Sequence, residues 1–282
     1  MRFRTEAEMM CLILGKANAD ERIRAVIMNG SRANPNAPKD MYQDYDIVYV
    51  VTDLNGILSE RGWIDDFGEP IMLQMPETMR DPCGDGRFIY LILFTDGNRI
   101  DLQLYPLDLL DKLLEKDSQS ILLLDKDHLF EPFPPPSDTD YFVKEPGALE
   151  YASCCNNFWW CTQNAAKGLR RDELAYVLYM LYSVVNAELH CMIDWYIGTK
   201  HSFQVSVGKC GKYYKRYLSA EIYDKYTRIY TDSSTGHIWD ALFAACALFR
   251  ETAVCVAEYF AFNYPADDDK RMTDYLQAVR SL

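Results

Sequence analysis

Residues 25–51 have the sequence AVIMNGSRANPNAPKDMYQDYDIVYVV, in which two apolar runs flank a polar segment that contains two prolines. The first run belongs to residues 22–29, a β-branched apolar stretch that ends at Gly30 and predicts a buried strand. The second run, residues 44–53, is the clearest strand pattern in the chain. The segment between them predicts a loop or a broken helical turn. We therefore expect two neighbouring strands joined by a short connecting segment.

Other patterns on both sides of this segment predict the rest of an N-terminal sheet. A first helix is expected at about residues 5–19, a short segment at 54–61 and a third strand at 70–75. The run RFIYLILFTDGNRIDLQLYP predicts a hairpin around Asp96-Gly97-Asn98, a strong turn signal. This order of elements predicts a small mixed β-sheet with helices packed against it.

The second half of the chain has a helical character. Residues 131–147 hold five of the twelve prolines and predict a stiff connection between domains. Beyond it, apolar and aromatic residues recur at helical spacing. They predict helices at residues 148–167, 171–198, 220–230 and 238–263, and a last helix after Pro265. The predicted fold is thus α+β, with a sheet domain at residues 1–135 and an α-helical bundle at residues 136–282.

Composition limits the classes of function. The formal net charge is −13, from 29 Lys and Arg against 42 Asp and Glu. This balance disfavours a nucleic acid partner and is compatible with a cationic substrate, although solubility alone also explains it. The nine cysteines lack a CxxC pair and the four histidines lack zinc-site spacing, which predicts reduced thiols and no structural zinc. Neither a signal peptide nor an apolar run of roughly 18 residues is seen, so we expect a cytoplasmic protein without membrane contact.

A group of acidic and small residues carries the chemistry. Asp44 and Asp46 are two residues apart on a strand, so both carboxylates project from one face. The two negative charges repel each other, which favours a bound cation such as Mg²⁺. Taken without the other motifs, the pair is equally well explained as the solvated end of a strand. Gly30-Ser31 ends the preceding strand, where backbone N–H groups and a hydroxyl can meet a phosphate. Twelve residues, 32–43, separate the two features and allow them to lie side by side.

Asp101 is the third acidic candidate. It lies early in the second strand of the predicted hairpin, where it is either an acid after a turn or the third carboxylate of a two-metal site. Together with Asp44 and Asp46 it predicts nucleotidyl transfer, in which an acceptor hydroxyl attacks the α-phosphorus of a triphosphate and pyrophosphate leaves. Asp101 is the best-placed carboxylate to assist deprotonation, and a carboxylate from the helical half is the alternative.

Gly30-Ser31, twelve residues and then Asp44-Tyr45-Asp46-Ile47 together resemble the signature of the polymerase-β-type nucleotidyltransferase superfamily. Nearly the whole chain is similar to the aminoglycoside 6-adenylyltransferases, which modify streptomycin. This wider resemblance rests on residues 25–51 and on the runs FTDGNRIDLQL, LLLDKD, NNFWWCTQNAAKGLRRDELAY and DWYIGTKHSFQVSVGKCGKYYKRYL. It implies ATP as the donor, Mg²⁺, AMP transfer to an aminoglycoside hydroxyl and hence antibiotic resistance. It also implies a nucleotidyltransferase domain at residues 1–135 and a substrate-binding domain at residues 136–282.

The resemblance also implies roles for single residues. Asp44, Asp46 and Asp101 match the carboxylate triad of the superfamily, as catalytic residues and metal ligands. The phosphate-binding turn is matched by Gly30 and Ser31, and Arg32, which falls in the extended motif, is a further candidate for nucleotide binding.

The helical half offers weaker candidates. Lys209 and Lys212 are predicted to reach the triphosphate, with a solvated basic face as the alternative. Glu173 is the candidate carboxylate for a cationic sugar. The remaining predictions are structural: core packing for Trp159, Trp160 and Trp195, solvated faces for Glu188 and Asp194, and the end of an element for Asp125.

Two other functions remain open at this point. One is a nucleotidyltransferase that modifies a different small molecule or a protein. The other is a non-catalytic nucleotide-binding module, which the intact set of three carboxylates disfavours. The sequence carries no signal for an oligomeric state.

Overall fold

A computed structural model of the chain describes residues 3–113 and 117–282, apart from the side chains of residues 112 and 113. The chain divides into two compact units, Met1–Asp140 and Tyr141–Leu282. The division falls inside the proline-rich segment. The first unit contains a β-sheet and the second is helical, which confirms the predicted α+β class.

Six strands build the sheet of the first unit: β1 Ile23–Asn29, β2 Tyr45–Val51, β3 Pro70–Gln74, β4 Phe88–Phe94, β5 Arg99–Pro106 and β6 Ser120–Asp125. Their order across the sheet is β3, β4, β5, β2, β1, β6. The β2–β5 pair is parallel and the other pairs are antiparallel, so the sheet is mixed as predicted. Sequence patterns predicted the first five strands and missed β6.

The longer helices follow the predicted order, whereas the four-residue helices at 110–113 and 214–217 were not predicted. In the first unit the helices are α1 Glu6–Ala19, α2 Gly30–Ala33, α3 Leu54–Ser59 and α4 Leu110–Leu113. In the second unit they are α5 Ala148–Arg170, α6 Leu174–Tyr179, α7 Asn186–Lys200, α8 Tyr214–Tyr217, α9 Ala220–Thr227, α10 Thr235–Phe260 and α11 Ala266–Ser281. A π-helical turn, Met180–Val185, connects α6 with α7.

Helix α1 covers one face of the sheet. It begins with a capping box, in which the Thr5 side chain accepts from the Glu8 N–H and the Glu8 carboxylate accepts from the Thr5 N–H. Its buried residues recur at helical spacing, and the Tyr49 hydroxyl donates to the Ile13 carbonyl over 2.6 Å. The helix is thereby fixed against β2.

The central strands of the sheet carry packed apolar residues on both faces. Along β2, Tyr45 and Tyr49 pack in the larger core beside α1, whereas Val48 packs on the opposite face. The cluster on that opposite face also includes Ile27, Tyr105, Leu122, Phe130 and Phe133. Because successive strand side chains alternate between faces, Asp46 projects on the same side as Val48. The proline-rich segment therefore contributes to the core of the first unit through Phe133, besides connecting the units.

The second unit packs around α5, α7 and α10. Phe158 and Phe249 stack with their ring centroids 3.8 Å apart. Within the described chain, Leu174–Lys200 is the stretch whose length and composition would allow it to cross a membrane. Its residues Leu181 and Leu189 are fully buried in the core of the unit, which is the environment of a core helix.

Two side-chain predictions in this unit were wrong. Trp160 is 64% exposed, while its neighbour Trp159 is 3% exposed. Phe158 and Trp159 form the buried face of α5 at this turn, and Trp160, about 100° further around the helix, faces solvent. Asp194 does not lie on a solvated face, because it is half-buried and accepts a hydrogen bond from the Tyr214 hydroxyl.

Candidate active site

A row of polar side chains crosses four strands of the sheet. Asp46 is in register with Asp101 on the parallel strand β5 and with Asn29 on the antiparallel strand β1. Asn29 is in register with Ser120 on β6, and the Ser120 hydroxyl donates to Asn29 Oδ1 over 2.8 Å. We call Ser120, Asn29, Asp46 and Asp101 the polar row. It lies on the face opposite α1, and it sets two carboxylates side by side.

Asp44 and Arg99 complete the arrangement. Arg99 Nε and Nη2 each donate to one oxygen of Asp101, both over 2.7 Å. Arg99 Nη1 lies 3.4 Å from Asp44 Oδ2. One guanidinium thus bridges Asp101 and Asp44: it binds Asp101 in the charge-assisted bidentate geometry typical of arginine and lies within ion-pair distance of Asp44.

Sequence reasoning missed Arg99, Asn29 and Ser120. The signal for Arg99 was its position two residues before Asp101 on one strand, which puts both side chains on the same face. Asn29 and Ser120 required the strand register, because β6 was not predicted.

The electrostatics reflect this crowding. Burial raises the pKa of Asp44, and the charge of Asp101 raises it further, while Arg99 and Arg32 oppose the shift. The hydrogen bonds with Asp101 raise the pKa of Arg99, and the charges of Asp44 and Asp46 act in the same direction. All three carboxylates therefore interact with a single guanidinium.

Gly30 lies directly against Asp46. Its φ is +73°, a left-handed conformation that glycine adopts without strain, and a β-carbon at this position would lie 2.3 Å from Asp46 Oδ2. Gln43 Nε2 donates to the Ser31 carbonyl over 3.1 Å and ties the turn to the residue that precedes Asp44. The structure thus brings Gly30 and Ser31 beside the carboxylates.

Arg32 has a different environment from its neighbours in the turn. Its Nη2 donates to the Gln43 carbonyl over 2.8 Å, and its guanidinium lies 3.8 Å from the ring centroid of Tyr45. The side chain is only 8% exposed and belongs to the Tyr45 side of the sheet, away from the polar row. These contacts position the segment before Asp44. The predicted contact of Arg32 with a nucleotide stays a prediction.

The donor set fits a divalent cation by its chemistry, since Asp44, Asp46 and Asp101 offer the hard oxygen ligands that Mg²⁺ prefers. Among residues 3–113 and 117–282, however, no three His, Cys, Asp or Glu side chains are arranged to hold a metal ion. In this arrangement Arg99 engages both oxygens of Asp101 and supplies a positive charge to the cluster.

Lys209 and Lys212 lie in a tight turn of the second unit. Gly208 and Gly211 both have φ of +71°, and a 3₁₀ turn runs from Lys209 to Gly211. Both lysines are exposed, and Lys212 Nζ lies 5.1 Å from the ring centroid of Tyr213. The turn therefore presents two ammonium groups to solvent.

The remaining acidic candidates differ in their surroundings. Glu173 is exposed at the start of α6, where its N–H donates to the Gly168 carbonyl over 3.0 Å. Asp125 ends β6 and accepts from the N–H groups of Leu129 and Phe130, which confirms that it terminates an element.

The chain is similar to known proteins over nearly its whole length. A family model described as streptomycin adenylyltransferase matches residues 3–279. An aminoglycoside 6-adenylyltransferase of Campylobacter jejuni is 40% identical over 268 residues, which cover 95% of this chain and 93% of the relative. One of Bacillus subtilis (strain 168) is 38% identical over 279 residues, 98% of each chain. The crystal structure of an aminoglycoside 6-adenyltransferase from Bacillus subtilis is 34% identical, covers 99% of both chains and has a TM-score of 0.49.

Proposed function

The chain belongs to the streptomycin adenylyltransferase family of nucleotidyltransferases, and from this premise we propose that it transfers AMP from ATP to a hydroxyl group of a streptomycin-like aminoglycoside. Such a reaction would inactivate the drug and confer resistance in the cytoplasm. The observation that carries the proposal is the register of Asp46 with Asp101 beside the Gly30 turn. These are the groups that nucleotidyl transfer requires, and strand pairing brings them together from distant parts of the chain.

Asp44, Asp46 and Asp101 would hold Mg²⁺, which when bound would neutralise the charge of the triphosphate. Glycine at position 30 lets the backbone of the turn approach the Asp46 carboxylate closely, which would set the N–H groups of the turn beside the phosphates of a metal-bound triphosphate. In the transfer, the acceptor oxygen forms a bond to the α-phosphorus, and the bond from that phosphorus to the pyrophosphate oxygen breaks. Asp101 would take the proton of the acceptor hydroxyl once Arg99 has released it.

We assign the second unit to substrate binding. The exposed ammonium groups of Lys209 and Lys212 suit the triphosphate and the departing pyrophosphate. The exposed carboxylate of Glu173 suits a cationic sugar. The net charge of −13 supports a cationic acceptor and opposes a nucleic acid one.

The test is turnover with ATP, Mg²⁺ and streptomycin, followed by pyrophosphate release and by the mass of the drug. Addition of one AMP to the drug supports the proposal. Pyrophosphate release with another acceptor alone would identify a nucleotidyltransferase of different specificity. ATP binding without turnover on any acceptor would identify a binding module.

The matched variants are Asp46→Asn and Asp127→Asn. Asp127 is a carboxylate of the same unit that pairs with Arg24 outside the polar row. Asp46→Asn should abolish turnover and leave the circular dichroism spectrum unchanged, while Asp127→Asn should keep turnover. Full activity of Asp46→Asn would contradict the assignment of the carboxylates.

A further inference from the structure

We propose that Arg99 is an internal counter-cation that holds the carboxylates of the active site in the absence of metal and competes with the divalent cation for Asp101. The inference rests on the proposed function, because it assumes that Asp44, Asp46 and Asp101 are the metal ligands. It adds a positioning residue to that site, and it predicts the sign of a measurable effect on metal affinity.

The geometry places one guanidinium on two carboxylates. Arg99 is bidentate on Asp101, with both donor–acceptor distances at 2.7 Å, and it approaches Asp44 at 3.4 Å. The two oxygens of Asp101 that a metal ion would need are thus the oxygens that Arg99 occupies. Arg99 therefore occupies part of the lone-pair capacity of Asp101, and its positive charge opposes the approach of a second cation, so the guanidinium and a metal ion compete for this carboxylate.

Arg99 is not neutralised by loss of a proton, because a guanidinium stays protonated in proteins. The only way to free Asp101 is to move the side chain. Arg99 is 43% exposed, so its guanidinium can leave towards solvent. An ion pair with this degree of exposure contributes little net stability. Separating it therefore costs less free energy than separating a buried pair.

This pairing also explains how the cluster tolerates its own charge. Three carboxylates on adjacent positions of β2 and β5 repel one another, and the guanidinium offsets that repulsion in the metal-free protein. The cost is that a cation must compete with Arg99 to bind at Asp101. Metal affinity in the absence of nucleotide is therefore set partly by the strength of the Arg99–Asp101 pair.

The experiment measures Mg²⁺ affinity without nucleotide by isothermal titration calorimetry on the full-length protein. Arg99→Gln should bind Mg²⁺ more tightly than the wild type, by about threefold or more, since the competing pair is gone. Arg99→Lys keeps the charge but loses the bidentate geometry, and its affinity should lie between the two. The matched control is Arg24→Gln, which removes a bidentate pair with Asp127 at the opposite end of β1 and should leave the Mg²⁺ affinity unchanged.

Unchanged or weaker Mg²⁺ binding by Arg99→Gln would overturn the inference. If that variant fails to fold, as judged by circular dichroism, Arg99→Lys decides by the same criterion. Asp46→Asn distinguishes a failure of the proposed Arg99 competition from a failure of the proposed metal site. If it abolishes Mg²⁺ binding while Arg99→Gln behaves like the wild type, the competition is wrong and the metal site stands. If Mg²⁺ binding survives Asp46→Asn, the metal site itself is wrong, and the role of Arg99 falls with it.

Discussion

A β-carbon on Gly30 would lie 2.3 Å from Oδ2 of Asp46, a separation that no pair of non-bonded heavy atoms adopts. Gly30 also has a φ of +73°, which any other residue adopts only with strain. The backbone turn and the central carboxylate are therefore packed against each other with no side chain between them. This contact makes Gly30 part of the active-site geometry although it has no functional group.

Replacing Gly30 with alanine should cost about 1–3 kcal/mol of unfolding free energy, from left-handed backbone strain and from displacement of Asp46. AMP transfer should fall at least about tenfold, because the Asp46 carboxylate is displaced from its position beside Asp101. Urea unfolding and steady-state kinetics measure the two effects. The control is Gly15→Ala in α1, where nothing lies within 4 Å of the new β-carbon. It should stabilise the helix by up to about 1 kcal/mol and keep turnover.

Replacing Lys209 or Lys212 with alanine should raise the KM for ATP or lower kcat by about tenfold. Each replacement removes one ammonium group that would stabilise the negative charge developing on the pyrophosphate. The KM for the aminoglycoside should stay the same. Lys215→Ala is the control, because Lys215 is exposed in the same basic segment and has no assigned role. Equal kinetics for all three variants would show that the cluster is an ordinary solvated face.

Asp194 should make stability depend on pH. Burial raises the pKa of its carboxyl to about 6, and the hydrogen bond from Tyr214 opposes the shift only in part. A raised pKa means that folding favours the neutral acid, so this contribution is complete below the unfolded pKa of about 3.9 and is lost as the pH rises through 6. We expect the wild type to lose about 2 kcal/mol more than Asp194→Asn between pH 4.5 and pH 7. Urea unfolding at both pH values tests this, and parallel curves for the two proteins would refute it.

Trp159 and Trp160 should differ sharply although they are adjacent. Trp159 is 3% exposed, with its ring centroid 5.1 Å from that of Phe158, so Trp159→Ala should cost about 3–5 kcal/mol. Trp160 is 64% exposed, and Trp160→Ala should cost less than about 1 kcal/mol. Thermal and urea unfolding of the two variants provide the comparison. Similar losses would mean that the face of α5 has been assigned incorrectly.

The sequence predicted those features that depend on local patterns. Alternation and β-branching located β1 and β2, and the Asp96-Gly97-Asn98 turn located the β4–β5 hairpin. The carboxylates were found because an i, i+2 pair on a strand and a third acid on another strand form a recognisable chemical set. Strand β6 was missed because a short run of leucines has no periodicity that separates a strand from a helix.

Other features depend on which strands become neighbours, and no local pattern contains that information. Arg99 could be placed on the face of Asp101 from the sequence, but its bridge to Asp44 arises only from the parallel pairing of β2 with β5. The half-buried position of Asp194 depends in the same way on Tyr214, which comes from a different helix.

The parallel pairing of β2 with β5 also bears on how this protein is made. During synthesis β1 and β2 leave the ribosome together and can align Asn29 with Asp46, but Asp101 joins them only after β3 and β4 have followed and β5 has inserted between β4 and β2. Contacts of such long sequence separation form slowly, because loop closure opposes them before they contribute any stability. A nascent chain that stops before β5 therefore holds Asp44 and Asp46 without Arg99 or Asp101, and catalytic competence arrives only when the sheet is complete.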